Sequence, residues 1–203
     1  VTTIVLHTAE GATTYQSLGS YFQNPASGVS SHVGIDDTPN TVGEYVRRDG
    51  KAWTAGNANP WSIQAELCAF AAWTPAEWAI HPQLLANCAA WIAEEAQVFG
   101  IPIRQLTPAE AQAGVPGVCQ HVDLGSMGGG HWDCGPGFPY IQVLAMAGGG
   151  PPVNLEEDLV TSYFANNTHH VYAQQDDGTV VHWWLDLGTR PPVWNVETLP
   201  AAA

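Results

Sequence analysis

His7, Glu66, His121, Asp133 and Cys134 are the residues of this chain whose types and settings could do chemistry. His7 closes a run of β-branched and apolar residues that reads as a buried strand over 3–7. His121, Asp123, His131, Asp133 and Cys134 fall in a glycine-rich stretch from Gly114 to Pro139. It is long for a loop in a compact domain, and loops of that kind are often functional. Catalytic zinc takes three protein ligands, commonly histidine nitrogen or carboxylate oxygen, and keeps a fourth position open. Such ligands sit on strand ends and loops held by a rigid scaffold. His7, His121 and Asp133 would supply such a set. Spacing alone does not bring them together, and a lone histidine at a strand end is more often structural. Glu66 lies within the small and apolar run Ser62–Leu67, where a carboxylate is costly to bury without a partner. That cost hints at function, although a salt-bridged or rim-exposed glutamate is the plainer reading.

These residues need elements to position them. Tyr15, Leu18, Tyr21 and Phe22 recur at helical spacing and predict an amphipathic helix over 13–23, ended by Asn24-Pro25. Residues 31–37 and 43–48 read as strands, with Asp49-Gly50 turning the second toward Ala52-Trp53. Ser62–Leu67 alternates like a strand. Thr74-Pro75 with Glu77 marks a helix start, and Thr107-Pro108 repeats the signal. The clearest helix spans 82–99 and is stopped by Gly100 and Pro102. A short helix follows over 140–147. Strands alternating with helices up to that point predict an α/β core.

The chain has 203 residues, suiting one medium domain or one domain plus a small appendage, and 45% of them are apolar, which is ample for a core. Five basic residues stand against nineteen acidic ones, a net charge of −14. Nucleic acid and anionic lipid both require positive patches, so neither is expected as a partner. No apolar run approaches the ~20 residues of a membrane span, so no membrane insertion is expected. The start, Val1–Leu6, has neither the basic region nor the cleavage site of a signal peptide. It also lacks a starting methionine, as expected where upstream residues have been removed or left out. Cys68, Cys88, Cys119 and Cys134 form no CxxC pair and read as buried thiols, with one disulfide as the alternative.

Seven segments, in order, resemble the type-2 amidases, a family that includes peptidoglycan recognition proteins and phage amidase endolysins. IVLHTAEG is similar to the family's first strand, which ends in the first zinc histidine. SSHVGID and DGKAWTAGNAN resemble its second strand and hairpin, and SIQAEL the strand that carries a glutamate. QLLANCAAWIAEEAQVFGIP is similar to its long helix. CQHVDLG and HWDCGPGFPY resemble the segments bearing the second and third ligands. The resemblance covers residues 1–147. It implies a central mixed β-sheet flanked by helices and a Zn2+ ion held by His7, His121 and Asp133. It also implies Glu66 as the general base in cleaving the amide between N-acetylmuramic acid and L-alanine of peptidoglycan. Asp133-Cys134-Gly135-Pro136 departs from the family's Asp-Pro-Gly and Cys-Pro-Gly forms, leaving Cys134 as the alternative third ligand.

Many members carry a lysine where this chain has His131, so oxyanion stabilisation there would fall to an imidazole; His131 is also a competing ligand. His32 lies where the second strand approaches the site and is a candidate lining residue, beside Ser31. Trp53 and Asn57 are candidates for the substrate groove, with a core tryptophan and a turn asparagine as the plain alternatives. Asp123 reads as a partner of His121 or a loop cap.

Gly148–Pro152 reads as a linker within 148–153. Residues 154–203 read as β-rich, with a hairpin about Asp177-Gly178, and resemble one blade of the tryptophan-rich repeats of lectin-like propellers. They are a candidate part of a wall-binding region. The expected partner is bacterial cell-wall peptidoglycan. The expected setting is a phage or prophage lysin made in the host cytoplasm and acting at the wall. The alternatives are a non-catalytic recognition module of the same fold and a muropeptide-recycling amidase.

Overall fold

A computed structural model describes residues 1–148 and four later strands within 160–199. Strand β1 (Thr3–Thr8) comes first, followed by helix α1 (Tyr15–Phe22) and the short strands β2 (Val33–Ile35) and β3 (Gly43–Glu44). Next come β4 (Ser62–Leu67), α2 (Pro75–Ala79), α3 (Pro82–Phe99), α4 (Pro108–Gln112), β5 (Gly117–Gln120) and α5 (Tyr140–Met146). The sheet order is β3-β2-β4-β1-β5. Only the β2–β3 pair is antiparallel, so the sheet is mixed and flanked by helices, as expected.

All six residues of β1 and all six of β4 are buried. Their alternation separates two faces rather than inside from outside, as in sheets covered on both sides. Ile4, Leu6, Ile63, Ala65, Leu67 and Val118 join the large core with α3 and α5. Val5 and Cys119 join a smaller core with Ala55, Ala58, Leu106, Ala111 and Leu124. His7 and Glu66 are register partners in parallel strands, so they share the face of this smaller core, near the strands' carboxyl ends. Open α/β sheets place ligands beyond those ends.

Helix α3 has the predicted bounds. Proline occupies its first turn, and Gly100 at φ +67° takes the left-handed cap. Helices start at Thr74-Pro75 and Thr107-Pro108 as expected, and the structure adds that each threonine closes a capping box, with Glu77 and Glu110. Elsewhere the sequence expectations need correction. Helix α1 runs over 15–22 rather than 13–23, with Leu18 buried, Tyr15 and Phe22 half-buried and Tyr21 exposed. The strand read over 43–48 ends at Glu44, because the amides of Tyr45 and Val46 both turn to the His32 carbonyl. Arg48 is then drawn to Glu94 and the buried Glu95 on α3. Gly50 closes a turn on Arg47, but Trp53 pairs with Ser30, so no hairpin forms about Asp49-Gly50. The glycine-rich stretch is not all loop, since it contains β5. The free edge of that strand is covered by residues 104–106, with Val118 bonded to the Arg104 carbonyl and Leu106 to the Val118 carbonyl.

All four cysteines are buried and free, as buried thiols would be; no disulfide forms. Among the described residues no helix is long and apolar enough to cross a membrane. Strands β6 (Val160–Ala165), β7 (Thr168–Gln174), β8 (Val180–Asp186) and β9 (Val193–Leu199) form a separate antiparallel sheet in sequential order. The pairing of β7 with β8 matches the hairpin reading; the turn at Asp177-Gly178 and linker residues 149–153 lie outside the described residues.

The loop leading to α5 is docked by close backbone approach. A methyl group at Gly135, which has φ +86°, would lie 1.8 Å from the Ala71 carbonyl oxygen, and one at Gly137 2.1 Å from that of Trp73. Gly135→Ala is therefore expected to destabilise the fold by about 3 kcal/mol, read as a lower denaturant midpoint.

Candidate active site

Three side chains from distant parts of the chain converge beyond the ends of β1 and β5. His7 is the penultimate residue of β1, His121 directly follows β5, and Asp133 lies in the loop before α5. The Nδ1 atoms of His7 and His121 are 2.9 Å apart. Asp133 Oδ2 lies 3.2 Å from His121 Nδ1 and 3.5 Å from His7 Nδ1. All three residues are buried. Among the described residues they are the one group of histidine, cysteine and acidic side chains arranged to hold a metal ion.

The surroundings aim these groups. The His121 Nε2–H donates to the Gly128 carbonyl at 2.8 Å, leaving the Nδ1 lone pair for a metal. A side chain at Gly128 would press on Leu124 and on the His121 ring. The Thr8 amide donates to Asp133 Oδ2 at 3.3 Å, and the Val122 amide donates to the Asp133 carbonyl at 2.9 Å. The loop is thereby tied to both histidine-bearing segments.

The donor set passes a simple metric test. Metal–ligand distances of about 2.0–2.1 Å imply tetrahedral edges of roughly 3.3 Å. The three observed separations bracket that value. The protonation pattern is also suitable in part. Burial pushes His7 down to about 4, so it is neutral at physiological pH. Burial alone would raise Asp133, but the hydrogen bonds and charges of His121 and His7 outweigh it and hold the carboxyl well below its usual range. Burial likewise opposes charge on His121, but Asp133 overrides it and shifts His121 upward. A cation would replace the proton shared there.

Glu66 stands on the same sheet face. Its Oε1 accepts a 2.9 Å hydrogen bond from Thr54 Oγ1, while its Oε2 is buried without a partner. Burial pushes its carboxyl up to about 7, against the Thr54 hydrogen bond; Asp133 adds to the rise. A carboxyl in that range can both take and return a proton near neutrality.

The remaining candidates separate. His131 stacks on the His121 ring at 4.5 Å, with its Nδ1 3.9 Å from Asp133 Oδ1 and its side chain 62% exposed. It is beside the three-donor group, not in it. Cys134 lies in the large apolar core, where burial pushes its thiol well above the ordinary range. It stays protonated and outside the donor group.

His32 is not a lining residue. Its Nδ1 accepts from the Gln64 amide at 3.1 Å and its Nε2 faces the Gly50 carbonyl at 3.3 Å, so neither nitrogen is left for a ligand. Ser31 donates to the Gln64 carbonyl. Asp123 is a loop cap, accepting from the Gln120 amide. Trp53 is 56% exposed with the Lys51 ammonium over its ring. Asn57 is exposed on a 3-10 turn, Gly56–Ala58. Two residues without any mark in the sequence support Glu66: Thr54 bonds it directly, and Asn59 accepts from the Thr54 amide. An ordinary loop threonine and an Asn-Pro turn carry no signal of that.

Comparison with known proteins identifies the family and the fold. The family model described as N-acetylmuramoyl-L-alanine amidase matches residues 1–136. N-acetylmuramoyl-L-alanine amidase A of Achromobacter lyticus is 36% identical over 63 residues, 31% of this chain and 34% of that protein. The match thus spans about a third of the curated relative's length. The Staphylococcus aureus hydrolase AmiA, solved with its ligand, superposes with a TM-score of 0.53 at 21% identity, covering 72% of this chain and 70% of that one. The N-acetylmuramoyl-L-alanine amidase LysC from Clostridium intestinale superposes with a TM-score of 0.53 at 15% identity, covering 73% of this chain and 86% of that one. At those identities the superpositions establish the fold.

Proposed function

Because the chain belongs to the N-acetylmuramoyl-L-alanine amidase family, we propose that it hydrolyses the amide between N-acetylmuramic acid and L-alanine in peptidoglycan, with Zn2+ as its metal. The observation that carries this reading is the triangle of His7, His121 and Asp133 beside a buried glutamate with one free oxygen. Two imidazoles and one carboxylate at this spacing suit zinc in a catalytic site. Zinc bound there would polarise the amide carbonyl and make water a nucleophile near neutral pH.

The chain's own groups do the rest. Glu66 Oε2 accepts the proton released by the attacking water and returns it to the leaving amine. An amine leaves poorly without that proton, so one carboxyl near pKa 7 serves both halves of the reaction. His131, exposed and stacked on His121, is the donor available to negative charge developing on the amide oxygen. Trp53 offers an exposed ring for a sugar or peptide face, and Asn57 is exposed further along the same segment.

We infer further that the enzyme is an endolysin of phage or prophage origin. Support comes from its likeness in fold to LysCS, an endolysin N-acetylmuramoyl-L-alanine amidase from Clostridium intestinale, at 15% identity. In this reading residues 154–203, with their four-stranded antiparallel sheet, serve wall attachment.

The test is to incubate the protein with purified peptidoglycan, with and without a chelator, and identify new end groups. Free N-terminal alanine is expected, lost on chelation and restored by zinc. Binding without release at full zinc occupancy would instead make the chain a recognition module. New ends within the stem peptide would move the cut to another bond.

A further inference from the structure

Glu66 is held by one oxygen only. A carboxyl terminus rotates through a broad two-fold well, so burial alone does not choose which oxygen faces the reaction. Thr54 tells the two oxygens apart. Its single hydroxyl proton goes to Oε1, and Oε2 remains buried and unpaired.

The structure also explains why Thr54 stays where it is. Asn59 Oδ1 accepts from the amides of Thr54 at 3.2 Å and Ala55 at 2.8 Å, and from Gln64 Nε2 at 3.1 Å. Gln64 Nε2 also donates to Ser62 Oγ, which donates to the Ala58 carbonyl. Ser62, Gln64 and Glu66 alternate along one face of β4. The strand that carries Glu66 therefore anchors the loop that reaches back to hold it. On the loop's other side, a methyl group at Gly56 would lie 2.4 Å from the Met127 carbonyl oxygen, so the loop is pressed onto the segment that follows His121.

We propose that Thr54 is a positioning residue for hydrolysis: by donating to Glu66 Oε1 it orients the carboxyl so that Oε2 is the oxygen that takes and returns the proton. This rests on the assignment of Glu66 as the base. The same contact opposes the effect of burial and keeps the carboxyl ionisable near neutrality.

The test compares Thr54→Val, which keeps the shape and removes the donor, with Thr54→Ser, which keeps the donor. Glu66→Gln is run in parallel. Zinc content, melting temperature, kcat and KM are measured on a soluble muramyl peptide. Thr54→Val is expected to lower kcat roughly 10- to 100-fold at unchanged KM and zinc content. Thr54→Ser is expected to stay close to the parent. Should Thr54→Val not fold, Thr54→Ala supplies a second variant without the donor. Undiminished kcat in the donorless variants, a change confined to KM, or a serine variant as slow as the valine one would each overturn the proposal. If Glu66→Gln itself keeps full kcat, the assignment of the base fails first, and the role of Thr54 with it.

Discussion

Asp133→Ala is expected to strip the proposed zinc from the protein and abolish hydrolysis. Removing a group that only supports a metal ligand commonly costs roughly 10- to 100-fold in affinity or activity, so losing a ligand is expected to cost more than ~100-fold. The same change removes the carboxylate that faces both His7 and His121. Its neighbours provide the controls. His131→Ala and Cys134→Ala are expected to keep full zinc, since the first imidazole lies beside the donor group and the second side chain lies in the core. Metal analysis of the purified variants decides the matter. Full zinc in Asp133→Ala, with loss in either of the others, would reassign the third ligand.

Glu66→Gln is expected to separate activity from stability in opposite directions. Loss of the base is expected to lower kcat by roughly 10²- to 10⁴-fold. Stability of the metal-free protein is expected to rise. Burial moves the Glu66 carboxyl from 4.5 to about 7, so the folded state holds a proton that the unfolded chain has already released. Below about pH 4.5 both states are protonated and nothing is lost. As pH rises through 4.5 toward 7 the penalty grows, and above 7 it reaches roughly 3 kcal/mol. Glutamine carries no such penalty and still offers Thr54 an acceptor. Denaturant unfolding at about pH 5 and about pH 8 reads the difference. A variant no more stable than the parent at the higher pH would mean that Glu66 is solvated enough to ionise freely.

Much of this was legible in the residues, for reasons that differ by element. Helix α3 announces itself through apolar spacing over eighteen residues and through its glycine and proline stops. Strand β5 does not: it has four residues in a glycine-rich stretch, and its identity comes from pairing with β1. Asp49-Gly50 signals a turn correctly, but Ser30, remote in sequence, decides what Trp53 pairs with. His7, His121 and Asp133 could be nominated by type, and the ordered family segments linked them. His32 shows the limit of position along the chain, because both ring nitrogens are spent on backbone atoms that sequence order does not reveal. The contact from Thr54 to Glu66 crosses twelve residues through a loop built by Asn59, and no motif marks it.

Strand β1 sets the order in which the site can assemble. This strand lies inside the sheet, flanked by partners that begin some sixty and some hundred and fifteen residues later. Long-range pairing of this kind slows folding, because loop closure precedes the contacts that repay it. His7 waits on β1 for His121 and Asp133, which arrive only near the end of the amidase region. A ribosome must therefore translate beyond residue 133 before the donor triangle can exist. A polypeptide that stops before residue 133 lacks the third donor, so the centre is put together late in the synthesis of this region, in one step rather than by degrees.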